Sequence, residues 1–198
     1  MTKVNTYGLK FGDAIVKSPN AALHIELYCF RVDHKTNGGL GAYRHFRNVC
    51  SLLWPKMEWH PWMEWSCRTL CEYQIVTFTG CAAASKTWIA GVFGFVFWLA
   101  EQQHTSVVLT TTTGKMVRRR IWPVIQQLYR DCPGLPGNMV DSKTTLQARM
   151  GDDKNGIFGI AVADGPVDKA VGNIKGVHNK RMLVVIDEAT DTPEAILR

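Results

Sequence analysis

The stretch Gly80-Cys81-Ala82-Ala83-Ala84-Ser85-Lys86-Thr87 decides how this chain is read. Upstream lies Gln74-Ile75-Val76-Thr77-Phe78-Thr79, β-branched and apolar, which predicts a buried strand. Downstream lies the apolar run Trp88 to Ala100, which predicts a fully buried helix. A strand, a turn of small residues and a helix that opens on Lys-Thr form the context of a phosphate-binding loop, G-x-x-x-x-G-K-[ST].

The residue types suit that chemistry. Gly80 breaks the strand, and Cys81, Ala82, Ala83 and Ala84 are small enough for backbone N–H groups to turn toward phosphate oxygens. Lys86 is placed to reach the outer phosphates and the Thr87 hydroxyl to hold Mg²⁺. The helix start adds its partial positive charge. One position departs from the pattern: Ser85 stands where Gly is favoured, because the loop is tight there.

About a hundred residues on, Met182-Leu183-Val184-Val185-Ile186 is a continuous apolar run ending in Asp187-Glu188. Such a run predicts a central parallel strand, and open α/β sheets bind ligands at the carboxyl ends of their strands. Beside a phosphate loop, Asp187 suits the Mg²⁺ shell and Glu188 suits a general base that polarises water. The two segments together imply an ATP site.

At this point the chain resembles the N-terminal ATPase half of the tailed-phage terminase large subunit, a DNA-packaging motor. Four stretches carry the likeness: Trp59-His60-Pro61-Trp62-Met63-Glu64-Trp65; the Ser-bearing loop Gly80 to Thr87; Val107 to Thr112 running into Gly114 to Trp122; and Ile174 to His178 leading into Val185-Ile186-Asp187-Glu188-Ala189. Residues 50–198 are covered. The resemblance implies an α/β, RecA-like P-loop fold with a mostly parallel central sheet flanked by helices and an N-terminal helical segment. It implies Mg²⁺ with ATP, duplex DNA as the moved polymer, a homo-oligomeric ring on a portal, and a small terminase subunit as a further partner. The nucleotide roles fall on Lys86, Thr87, Asp187 and Glu188. Trp62 is expected to border the adenine. The family also uses an arginine at the transition state; Arg118, Arg119 and Arg120 are the candidates, with Arg119 taken as the catalytic one. Family members continue into a coupling motif, further strands and an RNase-H-like nuclease, whereas this sequence stops at Arg198. A truncated or partial protein is therefore expected, without nuclease activity.

Two other readings compete. Asp187-Glu188-Ala189-Thr190 resembles the acidic box of helicase-like ATPases, although no Pro-Thr-Arg follows Thr110. A fragment that binds nucleotide or DNA without turnover is the third.

Composition sets outer bounds. With 198 residues, 46% hydrophobic and 20% charged, the chain suits one sizeable core: a P-loop domain over 51–198 with an appendage over 1–50. A net charge of +6 favours a polyanion partner. The apolar run 88–100 falls short of the ~20 residues that span a bilayer, so no membrane is expected. The six cysteines show no C-x₂-C pair, so zinc is not expected, and Cys81 in the loop suits a reducing compartment. The expected location is cytoplasmic, in the host if the protein is viral.

The rest of the chain is read coarsely. Ala21–Val32 reads as one strand or a short helix, and 38–41 as a glycine loop. Helices are predicted over 43–53, 62–73 and 115–130, the last interrupted by Pro123. Strands are predicted over 106–111, 144–150 and 157–163, with Asn155-Gly156 as a hairpin turn. Residues 163–180 read as a polar loop. His34, Arg44 and His45 are expected at the surface.

Overall fold

The computed structural model describes residues 19–36, 41–81, 84–161 and 179–189, which cluster into two units. The first comprises Met1–Ala84 with Leu99–Glu101; the second comprises Ser85–Trp98 with Gln102–Arg198.

The first unit is helical. Helix α1 spans Pro19–Thr36, α2 Ala42–Leu53 and α3 Pro61–Glu72. The ambiguous Ala21–Val32 run is thus helical, and the reason is periodic: Ala21, Leu27 and Phe30 are buried on α1. On α2, Ala42, Phe46, Val49 and Cys50 form the matching stripe, and Phe30 meets Phe46 with ring centroids 6.0 Å apart. Gly41 opens α2 at φ +86, and a Cβ there would lie 2.9 Å from Asp33 Oδ2. His45 is not the solvated residue expected. It is mostly buried, 2.7 Å from Glu26 and 3.4 Å from Asp33, because two carboxylates on α1 flank it.

Pro61 starts α3, and His60 caps it by accepting the Met63 N–H on Nδ1 at 3.2 Å. Its buried stripe is Met63, Ser66, Cys67 and Cys71.

Residues 74–79 correct the sequence reading. They form no strand, and Ile75 is 90% exposed. A β-branched run becomes a strand only where a neighbouring edge takes its backbone hydrogen bonds. Among the described residues no edge does so.

The second unit is α/β. Helix α4 (Lys86–Leu99) is followed by β1 (Thr105–Thr111), a short α5 (Gly114–Met116), a π-helical turn (Val117–Ile121) and α6 (Trp122–Arg130). Then come β2 (Asn138–Val140), β3 (Thr145–Gln147), β4 (Gly156–Ala161) and β5 (Arg181–Ile186). The sheet order is β2-β3-β4-β1-β5. Pairs β1–β4 and β1–β5 are parallel, whereas β2–β3 and β3–β4 are antiparallel. The sheet is therefore mixed rather than mostly parallel. The physical reason is connection length: residues 141–144 join β2 to β3 and residues 148–155 join β3 to β4, whereas a parallel pair needs a longer crossover. Asn155-Gly156 does not form the expected turn, since Gly156 already pairs with Gln147.

β5 also departs from expectation. It pairs with β1 on one side, and no described strand lies on the other, so it is an edge rather than a central strand among the described residues.

Helix α4 is apolar all round because it has two neighbours. Gly94 faces Val107, Leu109 and Leu183 of the sheet, and Gly91 sits against Val124 and Ile125 of α6. β1 is buried along its whole length. Arg181 anchors the start of β5: its Nη1 donates to Phe97 O at 3.1 Å and to Thr105 Oγ1 at 3.0 Å, with the guanidinium over the Phe97 ring. Pro123 sits in the first turn of α6, just after the π-turn, which is where the predicted helix was expected to be interrupted. Among the described residues no helix is long and apolar enough to cross a membrane.

Candidate functional site

The register of β1 and β5 builds the site. Val107, Leu109 and Leu183 point to the face that carries α4. Side chains alternate along a strand, so Thr111 and, beyond β5, Asp187 fall on that same face. The ladder continues one step past β5, because Asp187 N–H donates to Thr110 O at 2.9 Å. The acidic pair is thereby held at the carboxyl end of the sheet.

The N-terminus of α4 comes to the same place. Ser85 O accepts the Ile89 N–H at 2.9 Å, which starts the helix, with Lys86 and Thr87 in its first turn. Thr87 Oγ1 donates to Asp187 Oδ2 at 3.2 Å, joining residues 100 positions apart in the chain. A hydroxyl and a carboxylate side by side at a helix N-terminus are hard oxygen donors. They suit Mg²⁺, which takes one or two carboxylates and otherwise water and phosphate oxygens. Among the described residues no group of three or more His, Cys, Asp or Glu gathers to hold a metal by itself.

Two backbone conformations stand out. Ser85 has φ +57 and Glu188 φ +63, both in the left-handed region that disfavours side chains. Ser85 is the position at which the sequence reading expects glycine, the residue that takes positive φ without steric cost. At Glu188 it turns the chain off the strand. The Glu188 carboxylate meets the Arg120 guanidinium at the end of the π-turn. Arg118 and Arg119 are exposed on the same turn.

Thr111 is the member that sequence reasoning missed. It is 1% exposed, and its hydroxyl has no hydrogen-bond partner among the described residues. Only the strand register, which sequence does not print, identifies it. The Thr110 hydroxyl is equally buried and also lacks a partner among the described residues.

The front of the loop belongs to the first unit. Cys81 is exposed, and 82–83 lie outside the described residues. Trp62 donates from Nε1 to Ala84 O at 2.9 Å. It stacks on Trp65 at 5.2 Å, and Phe78 stands edge-on to both. Trp62 thus fixes the chain just before Ser85. The stretches 174–178 and 190–198 lie outside the described residues, as does most of the predicted loop 163–180.

No family model, curated protein or solved structure matches this chain.

Proposed function

We propose that this chain is a Mg-ATP-hydrolysing domain of the kind that drives DNA packaging in tailed-phage terminases. The observation that carries the reading is the Thr87–Asp187 hydrogen bond, which makes one site of two motifs found independently in the sequence. Support also comes from the α4 N-terminus, the placement of both acids at the carboxyl end of a sheet, and the φ +57 at the position where the loop motif calls for glycine. The finer RecA-like class is part of this proposal.

In this reading the α4 N-terminus and the Lys86 ammonium hold the β- and γ-phosphates. Thr87 and Asp187 orient the metal shell. Glu188 accepts a proton from the water that attacks the γ-phosphorus, and the leaving ADP departs with the charge that Lys86 offsets. Mg²⁺ when bound supplies charge neutralisation between phosphate oxygens. Duplex DNA is the polymer moved; a ring of copies on a portal and a small terminase subunit are the proposed partners; the host cytoplasm is the proposed location.

The test is phosphate release by the 198-residue chain with Mg-ATP, with and without linear duplex DNA. Turnover that rises with DNA and is lost in Glu188→Gln supports the motor. Turnover with strand separation points to the helicase-like alternative. Nucleotide binding without turnover in any condition points to a non-hydrolysing binder.

A further inference from the structure

Four threonines stand at the end of β1, Thr110-Thr111-Thr112-Thr113, and their sequence does not rank them. The fold does. Thr112 Oγ1 donates to Met116 Sδ at 3.1 Å, and Thr113 Oγ1 accepts the Met116 N–H at 3.2 Å to cap α5. Those two hydroxyls serve the turn that leaves the strand. Thr110 and Thr111 are 0% and 1% exposed, and neither hydroxyl has a hydrogen-bond partner among the described residues. Alternation separates them. Val107 and Leu109 face α4, so Thr111 does too, whereas Thr110 points to the other face of the sheet.

The α4 face is the one that carries the candidate site. Thr110 pairs with Ile186, and the Asp187 N–H donates to Thr110 O, so the next step of the ladder sets Thr111 level with Asp187. Neighbouring strands lie about 4.8 Å apart, which puts one water within reach of both side chains. A buried polar group without a partner is uncommon in a native fold and calls for an explanation, a bound ion or water among them. At 1% exposure Thr111 is closed to bulk water, so what meets its hydroxyl is a molecule held in the site. Mg²⁺ bound through one or two carboxylates keeps several waters, and the groups around a metal are steadied by a further layer of hydrogen bonds. We propose that Thr111 is a positioning residue whose hydroxyl accepts a hydrogen bond from a water of the Mg²⁺ shell at Thr87 and Asp187. This rests on the reading of those two residues as the metal site.

Three observations favour this role over plain packing. Thr111 shares its face with Thr87 Oγ1 and Asp187 Oδ2, which already bond each other at 3.2 Å. The 14-residue helix α4 starts at the same end of the sheet, and its N-terminus favours the anionic ligand that would bring the metal. Packing alone would be served by valine, which has nearly the same shape and no hydroxyl to desolvate. A hydroxyl also adds an acceptor for the shell without placing another negative charge beside Asp187 and Glu188.

Metal binding by the full chain tests this. The first readout is the Mg²⁺ dependence of affinity for a fluorescent ATP analogue. Thr111→Val should raise the Mg²⁺ concentration for half-maximal effect by about tenfold or more, as losing a hydrogen bond around a metal's ligands does, and leave the affinity in EDTA within about twofold. Thr111→Ser should restore the wild-type value, and Thr111→Ala repeats the loss with a second side chain. The second readout needs no nucleotide. Mn²⁺ binding is followed by loss of the free-ion electron paramagnetic resonance signal, and Thr111→Val should weaken it by a similar factor. Cooperative thermal unfolding shows that each variant is folded. An unchanged metal requirement in Thr111→Val and Thr111→Ala overturns the proposal. An equal loss of affinity with and without Mg²⁺ also overturns it, and assigns the hydroxyl to packing or to the phosphates themselves. Thr111-dependent Mn²⁺ binding in a wild type that takes no nucleotide leaves the role of Thr111 standing and defeats the ATP reading instead. A wild type that binds neither metal nor nucleotide overturns both.

Discussion

Thr87 Oγ1 donates to Asp187 Oδ2 at 3.2 Å, across 100 residues of chain. The bond has two consequences. It ties the first turn of α4 to the end of β5, and it pre-positions two oxygens of the kind Mg²⁺ accepts. Thr87→Val keeps the shape and removes the hydroxyl. A hydrogen bond to a charged group is worth about 1.5–3 kcal/mol, so Mg-dependent affinity for a fluorescent ATP analogue should fall about tenfold or more. Thr87→Ser should keep it. Equal affinity in Thr87→Val would remove the hydroxyl from the metal shell.

Ser85 holds φ +57 where the loop motif has glycine. Left-handed backbone costs a non-glycine residue about 1–2 kcal/mol, and glycine returns roughly half of that as extra entropy in the unfolded chain. Ser85→Gly should therefore raise stability by about 0.5–1 kcal/mol in urea unfolding. Ser85→Val should lower it, since a β-branched residue is least tolerant of positive φ. Destabilisation by the glycine would mean that the serine hydroxyl makes a contact worth more than the strain.

Thr111 buries a hydroxyl with no partner among the described residues. An unsatisfied buried polar group costs about 1–3 kcal/mol. Thr111→Val, nearly the same shape, should raise the thermal midpoint of the nucleotide-free protein. If Thr111 serves the site, the same variant should also gain less stability from added Mg-ATP than the wild type does. A lowered midpoint in the nucleotide-free protein would mean that the hydroxyl is satisfied.

Much of the fold was legible, and the failures share one cause. Helix α4 was readable because thirteen consecutive apolar residues have no other use at that length. Helices α2 and α3 began within a residue of their predicted starts, and α3 starts on Pro61. The antiparallel return of β3 into β4 was legible, but not its turn: residues 148–155 make the connection, and Gly156, expected in the turn with Asn155, pairs with Gln147 in the ladder. What failed depended on partners. Residues 74–79 have strand composition but no edge to join, and β5 has the composition of a central strand but one described neighbour. Strand β2 is three residues long, too short for periodicity to register. At the site, Lys86, Thr87, Asp187 and Glu188 were nameable from local pattern. The contacts of Asp187 with Thr87 and of Glu188 with Arg120, and the burial of Thr111, exist through strand register and the π-turn, which local sequence does not encode.

The buried cysteines give a pH prediction in the first unit. Burial pushes the Cys67 thiol from 9.0 up to about 12, and raises Cys71 and Cys50 as well. A thiol whose folded value is raised keeps its proton where the unfolded chain has lost it. Its contribution is fully present below pH 9.0 and is lost as pH rises toward about 12. The unfolding free energy from urea melts should fall over that window, by about 1.4 kcal/mol per pH unit for each such thiol. Cys67→Ala should flatten the fall relative to wild type. An unchanged slope in that variant would show that Cys67 is not protected from ionisation.

Calorimetric titration of Mg-ATP into the 198-residue chain, beside Lys86→Ala, is the most direct measurement. Saturable binding to the wild type and its loss in Lys86→Ala is the expected result. No binding to the wild type, or equal binding to both proteins, would contradict a phosphate site at the start of α4.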